Sequence, residues 1–217
     1  MSRHLKRYNA PTSWTLLRKT TKFVTKPSPG PHGTAQAMPL SMWLRTLGLA
    51  KTQREIKKIL QNKKVLVDGR RVLNQRFPVG MFDILSIPEV NLAYHIGIDT
   101  KGRLTLEKLE GAALQKPCQI IGKTVLKNNK IQIHLYDSRN ISLDKNMYCV
   151  GDTIVVQVPE QKVVKHIPLA QGSKIILVGG SHVGTTGMVE KIEGRRLWCK
   201  SPEGTIETRK QYAYPIP

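Results

Sequence analysis

From Lys51 to Asn62 the apolar residues Ile56, Ile59 and Leu60 recur at helical spacing, while Lys51, Arg54, Lys58 and Gln61 share a narrow stripe on the opposite side. Thr52 followed by Glu55 is a capping-box pattern, which places the helix start at Thr52. Val65-Leu66-Val67 then shifts the period to that of a strand. Asp68-Gly69 is a two-residue hairpin signal, with Arg70 and Arg71 just beyond the tip. The pattern therefore predicts a helix with one buried and one cationic side, close to a basic hairpin. Upstream, Leu40, Leu44 and Leu47 with Trp43 predict a short helix that ends near Gly48 and packs antiparallel against the first. Downstream, within 76–87, Pro78-Val79-Gly80 reads as a turn followed by a strand.

From about Asn91 the pattern becomes β. Tyr94, Ile96 and Ile98 alternate, and Asp99-Thr100-Lys101-Gly102 turns the chain into Leu104 and Leu106. Ile120 to Leu126 and Ile131 to Leu135 flank Asn128-Asn129, a hairpin tip. Strands follow at Ile154 to Val158 and Lys162 to Ile167, with 106–114 as the helical candidate of this region. Beyond Pro168, the stretches Gly172 to Gly180 and Ser181 to Ile192 and strands at Leu197–Lys200 and Ile206–Thr208, the latter joined by glycine turns at Gly194 and Gly204, read as short strands at short spacing, as in a small β-barrel. The pattern as a whole predicts an α+β chain.

Charge changes the reading of the cationic stripe. The 217 residues hold 35 Lys and Arg against 15 Asp and Glu, a formal charge of +20. Such an excess opposes compaction by self-repulsion unless a polyanion neutralises it. Residues 1–54 contain no acid and ten cations, half of the net charge: Arg3, Lys6, Arg7, Arg18, Lys19, Lys22, Lys26, Arg45, Lys51 and Arg54. Up to about Pro39 this leader is broken by five prolines and by Gly30 and Gly33, so it cannot offset its own ordering entropy by burial alone. Tyr8, Trp14 and Phe23 are interleaved with its cations. Lys and Arg neutralise phosphates and aromatic rings stack on bases, so the combination points to nucleic acid. No apolar run reaches the ~18–20 residues of a membrane span. The start lacks the apolar core of a secretory signal, and its Pro and Gly content breaks the amphipathic helix of a mitochondrial presequence. Cys118, Cys149 and Cys199 are far apart and odd in number, and read as buried small apolar residues in a reducing compartment.

Catalytic chemistry finds no support. The six histidines are scattered, with no Cys/His pairing at metal spacing. Gly179-Gly180, Gly184 and Gly187 lack the Lys-Ser/Thr ending of a phosphate loop, so they read as turns. His134 with Asp137 reads as neighbours in a strand.

Thr52-Gln53-Arg54-Glu55 with Val65-Leu66-Val67-Asp68-Gly69 and the Gly80/Asp83-Ile84 closure resembles the small αL RNA-binding domain. The Gly172 to Ile192 stretch resembles a KOW motif, a unit of SH3-like barrels. Both follow a start reading His4-Leu5-Lys6-Arg7, Ala10-Pro11, Ser13-Trp14 and Pro29-Gly30-Pro31-His32. Lys116-Pro117-Cys118, Asp137-Ser138-Arg139-Asn140-Ile141 and Gly151-Asp152 lie between. The ordered set, from His4 to about Pro215, resembles the archaeal/eukaryotic small-subunit ribosomal proteins of the S4e family. The chain departs from that pattern at Tyr136 and Ser138, where members usually have His and Gly, at Ser181 and Thr185, where a basic residue is commoner, and at Ile56, commonly Ala. Its early end after Tyr214-Pro215, without the eukaryotic tail, points to an archaeal source or a reduced genome.

The resemblance implies four segments: a basic irregular N-terminal extension (1–38), an αL-type RNA-binding domain (39–90), a central β-rich domain (91–170) and a C-terminal SH3-like β-barrel carrying the KOW motif (171–217). It implies a structural constituent of the small ribosomal subunit, in the cytoplasm, that binds small-subunit rRNA and neighbouring small-subunit ribosomal proteins. No enzyme activity, cofactor, metal, membrane or small-molecule substrate is expected. The RNA-binding candidates are Arg3, Lys6, Arg7, Trp14, Arg18 and Lys19 in the leader, and Lys51, Arg54, Lys57, Lys58, Lys64, Arg70 and Arg71 around the helix and hairpin. The alternatives are an RNA-targeting subunit of an rRNA-processing or modifying enzyme and, from the KOW unit alone, a transcription-elongation module.

Overall fold

The computed structural model describes residues 4–62, 64–109, 115–127, 130–143, 147–202 and 204–217. The chain forms two compact units, Met1–Gly97 with Arg103–Leu114, and Ile98–Gly102 with Gln115–Pro217.

In the first unit, β1 (Leu5–Lys6) pairs antiparallel with β2 (Phe23–Val24). The loop between them is tied from inside by two arginines. Arg7 donates through Nε to the Leu17 carbonyl and through Nη1 to Thr21 Oγ1 at 2.7 Å. Arg18 donates to the carbonyls of Tyr8 at 2.8 Å and Pro11 at 3.2 Å. Next come β3 (Ala37–Pro39), α1 (Leu40–Thr46), α2 (Gln53–Asn62), β4 (Leu66–Val67), β5 (Arg70–Arg71), β6 (Pro78–Gly80), β7 (Ile84–Ile87), β8 (Leu92–Ile98) and β9 (Leu104–Lys108). Helix α1 stops where Gly48 takes a left-handed φ of +71°, with Leu49 N–H bonded to Leu44 C=O at 3.1 Å and Gly48 N–H to Arg45 C=O at 2.9 Å. Those two bonds form the Schellman pattern that satisfies the last carbonyls of a helix.

Strands β5-β4-β7-β8-β9 form one sheet, and β3 pairs separately with β6. The predicted turn at Pro78-Val79-Gly80 is thus itself a strand, because Ala37, Met38 and Pro39 lie opposite it; the chain reverses at Met81-Phe82 instead. The helix expected over 106–114 is likewise corrected. Leu104–Lys108 is strand β9, since an open sheet edge beside β8 offers its backbone partners, and 110–114 lie outside the described residues. Met38, Trp43, Leu44, Ile56, Leu60 and Ile84 are fully buried between helices and sheet. A polar staple fastens the leader to this core: His32 Nε2 lies 2.9 and 3.0 Å from the two Asp83 oxygens, and Gly80 N–H donates to Asp83 Oδ2 at 2.8 Å. Gly80 is required there, because a Cβ would meet the His32 ring at 2.6 Å.

The second unit holds β10 (Gln115–Val125), β11 (Ile131–Leu135), β12 (Asn140–Leu143), β13 (Thr153–Gln157) and β14 (Lys162–Ile167) in the antiparallel order β12-β11-β10-β13-β14. Cys118, Ile120, Ile133, Leu135, Ile154 and Val156 form its core. The expected hairpin between β10 and β11 pairs Val125 with Ile131; its tip at 128–129 lies outside the described residues. The last segment, β15 (Lys174–Leu177), β16 (Thr186–Glu193), β17 (Arg196–Ser201), β18 (Gly204–Arg209) and β19 (Ala213–Pro215), has the order β18-β17-β16-β15-β19. Its core is Ile175, Leu177, Val189, Leu197, Cys199 and Ile206. Strand β19 has no counterpart among the predicted strands; three residues with a proline carry no period. Tyr214 on it is buried, accepting from Gln119 N–H at 2.9 Å and donating to Pro117 C=O at 3.0 Å, and burial pushes its phenol pKa well above the usual range.

Candidate nucleic-acid interface

The cationic side of α2 is built from its first turn. Glu55 N–H donates to Thr52 Oγ1 at 3.3 Å, while Glu55 Oε2 accepts from the N–H groups of Lys51 at 2.8 Å and Thr52 at 3.3 Å. The capping box thus forms as the sequence predicts, satisfying donors that a helix start leaves open. The hydrogen bond from Lys51 N–H, then those of Thr52, hold the Glu55 carboxyl below its ordinary pKa. The one acid of this helix is therefore committed to the cap. Ile56 and Leu60 are buried and Ile59 is half-buried, whereas Lys51, Arg54, Lys57, Lys58 and Gln61 are all exposed.

The hairpin also forms, with Leu66 opposite Arg71 and Val67 opposite Arg70. Asp68 and Gly69 both have positive φ, +50° and +73°, as a tight two-residue reversal requires. Asp68 is buried, however. Its N–H donates to Ile84 C=O and its Oδ1 accepts from Ile84 N–H, each at 2.9 Å, so it anchors the hairpin onto β7. Arg71 Nη2 donates to Gln61 C=O at 2.9 Å, near the C-terminal end of α2. That bond brings the Arg71 side chain to the end of α2, close in sequence to the exposed Lys58 and Gln61. Strand alternation turns Arg70 to the opposite face, although it too is exposed. Lys64 is exposed between the two elements, its N–H donating to Glu89 Oε1 at 3.2 Å.

In the leader, Lys6 and Lys19 are exposed, while Arg7 and Arg18 are half-buried and engaged in tying the loop. Arg3 lies outside the described residues. Trp14 is corrected as a base-stacking residue. It is 2% exposed, and its indole N–H donates to Ala37 C=O at 2.9 Å. Burying a large aromatic contributes on the order of 3 kcal/mol, at least as much as the ~1–3 kcal/mol of a base stack. Trp14 therefore pins the leader to the core. Exposed rings remain at Tyr8 and Phe23, the latter with Lys22 Nζ at 5.6 Å from its centroid. Lys22 is thus a further exposed cation beside a ring, outside the set of RNA-binding candidates drawn from the sequence; its neighbour Phe23 is the local signal for it. Gln53 Nε2 donates to Thr25 Oγ1 at 3.0 Å, which sets the leader beside the start of α2.

The remaining chemistry-bearing residues have structural partners. His134 lies 2.7 Å from Thr124 Oγ1 and 2.7 Å from Asn140 Oδ1, in cross-strand pairs, rather than with Asp137. Asp137 is buried against Lys116 Nζ and Arg139 Nε, both at 3.1 Å. Gly179 and Gly187 allow close approach to the Tyr212 ring and the Lys200 carbonyl, where a Cβ would come within 2.7 Å; Gly184 lies against the Asp99 carbonyl. They are packing glycines. Cys118 and Cys199 are buried as expected, but Cys149 is exposed because it sits in the turn ahead of β13. Among the described residues no cluster of His, Cys, Asp or Glu could hold a metal ion, and no helix is long and apolar enough to cross a membrane.

Three family models match successive stretches of the chain, from residue 1 to residue 163. The chain matches the RS4NT domain over residues 1–35, the S4 domain over 38–85 and ribosomal family S4e over 90–163. It is 40% identical to the small ribosomal subunit protein eS4 of Methanococcus vannielii, covering 90% of this chain and 84% of that protein. It is also 40% identical to that of Methanocella arvoryzae, covering 98% and 93%. The crystal structure of the 30S ribosomal protein S4e from Thermoplasma acidophilum superposes with a TM-score of 0.72 at 31% identity, over 83% of this chain and 95% of that one. With this identity sustained over nearly its full length, the chain belongs to the S4e family of ribosomal proteins.

Proposed function

We propose that this chain is a structural constituent of the small ribosomal subunit in the cytoplasm, binding small-subunit rRNA and supporting its folding and translation. In this reading Lys51, Arg54, Lys57, Lys58, Lys64 and Arg71 contact backbone phosphates, Arg70 meets them from the other face of the hairpin, and Lys6 and Lys19 join from the leader. The observation that supports this reading is the Arg71 hydrogen bond to the Gln61 carbonyl, which brings a hairpin cation against the end of the helix that carries the exposed Arg54 and Lys58. Double-helical RNA hides its base edges in a deep, narrow groove, so such a surface positions RNA by shape and charge rather than reading sequence. The family's ribosomal role speaks against an enzyme, and neighbouring small-subunit proteins complete the set of partners.

Sedimentation tests the assignment. The chain should stay with the small subunit near stoichiometrically through a moderate salt wash. A chain that washes off, or is sub-stoichiometric, is instead the RNA-targeting subunit of a processing or modifying enzyme.

A further inference from the structure

The leader contains a groove of about 340 Å³ lined by Lys6, Tyr8, Arg18, Lys19 and Lys22, together with two threonines. That volume lies at the small end of the ~300–1,000 Å³ range of ligand clefts. Four of the lining residues are cationic, and the first acid of the chain is Glu55, well beyond them. Tyr8 is 66% exposed as a residue, while its backbone is fixed by the Arg18 hydrogen bond to the Tyr8 carbonyl. Arg7, bonded to Leu17 and Thr21, closes the other side of the same loop. The groove is thus an open aromatic face held in a tied loop and ringed by cations. A continuous paired helix offers such a face no ring, because its bases are stacked on one another; an extruded base does.

We propose that this groove receives one unpaired nucleotide of an RNA, its base stacked on Tyr8 and its flanking phosphates among Lys6, Lys19 and Lys22. The proposal rests on the RNA-binding role above and adds to it a class of RNA element, a bulge or unpaired residue within a duplex. Phe23 is less suited, since Lys22 lies over it and the His4 ring is 5.6 Å away.

The test compares a short RNA duplex carrying one bulged adenosine with the same duplex fully paired, titrating each with the full-length chain at fixed salt. The bulged duplex should bind at least about fivefold more tightly, the lower range expected of one base stack. Tyr8→Ala should abolish that preference and Tyr8→Phe should retain it, because stacking needs the ring and not the hydroxyl. Equal binding of the two duplexes, or a preference that survives Tyr8→Ala, overturns the groove assignment while leaving the phosphate-binding surface standing. Failure of the chain to bind either duplex overturns both.

Discussion

Asp152 shows how a single carboxylate organises the second unit. It accepts from the N–H groups of Cys149 at 2.9 Å and Leu169 at 3.0 Å, and shares a hydrogen bond with His166 Nε2 at 2.8 Å. Burial pushes its carboxyl up, but the hydrogen bonds from Leu169, Cys149 and His166 together outweigh burial and hold it below the usual aspartate value of 3.8. A carboxyl depressed by folding contributes stability that is fully present above its unfolded value and is lost as pH falls through its folded value. The thermal midpoint should therefore fall as pH drops below about 4, and Asp152→Asn should make that acid limb shallower. Calorimetry across the range checks this, and an unchanged slope would remove Asp152 from the acid response. The backbone shows the same dependence on single residues. Ser138 holds a φ of +61° in the turn between β11 and β12. A side chain in that region costs about 1–2 kcal/mol that glycine avoids.

At the scale of elements, α2 and the β4–β5 hairpin are legible in the sequence alone. Capping chemistry, 3.6-residue spacing and the Asp-Gly turn are local, and each is satisfied within a few residues. The expected binding behaviour follows from their joint surface. Replacing Arg54, Lys58 and Arg71 with Ala should flatten the dependence of log affinity on log salt by up to ~0.7–0.9 for each phosphate no longer neutralised. Salt titration with a small-subunit rRNA fragment measures the slope, and an unchanged one would exclude this surface. Less legible is anything decided by a distant partner. Pro78-Val79-Gly80 looks like a turn until Ala37-Met38-Pro39 lies opposite it, and β19 exists only because Lys174–Leu177 offers an edge. Trp14 among cations suggests stacking on RNA, yet the carbonyl of Ala37 and the core beneath claim it first.

For the molecule as a whole, a formal charge of +20 has two consequences of opposite sign. Added salt screens the repulsion among like charges and should raise the thermal stability of the free protein, while the same salt weakens its grip on RNA. Denaturation scans at low and at moderate ionic strength read the first effect. A midpoint that does not rise would mean that the cations are already neutralised within the fold. The acid-free leader illustrates how charge and fold separate. Its composition alone suggests a chain that orders only on RNA, but Trp14 and the His32–Asp83 staple fix it on the first unit.

The sequence by itself determined the class of partner, the α+β mixture, the amphipathic helix with its cap, the hairpin and most strands. These depend on composition, period and turn chemistry, which act over a few residues. Tertiary structure alone decided which cations are spent on internal hydrogen bonds, as Arg7 and Arg18 are, and which remain in solvent, as Arg54 and Lys58 do. It alone chose Tyr8 over Trp14 as the open ring, and alone supplied strand β19 with a partner. The physical reason is that burial and hydrogen-bond satisfaction depend on groups far away in sequence, and no local pattern records them.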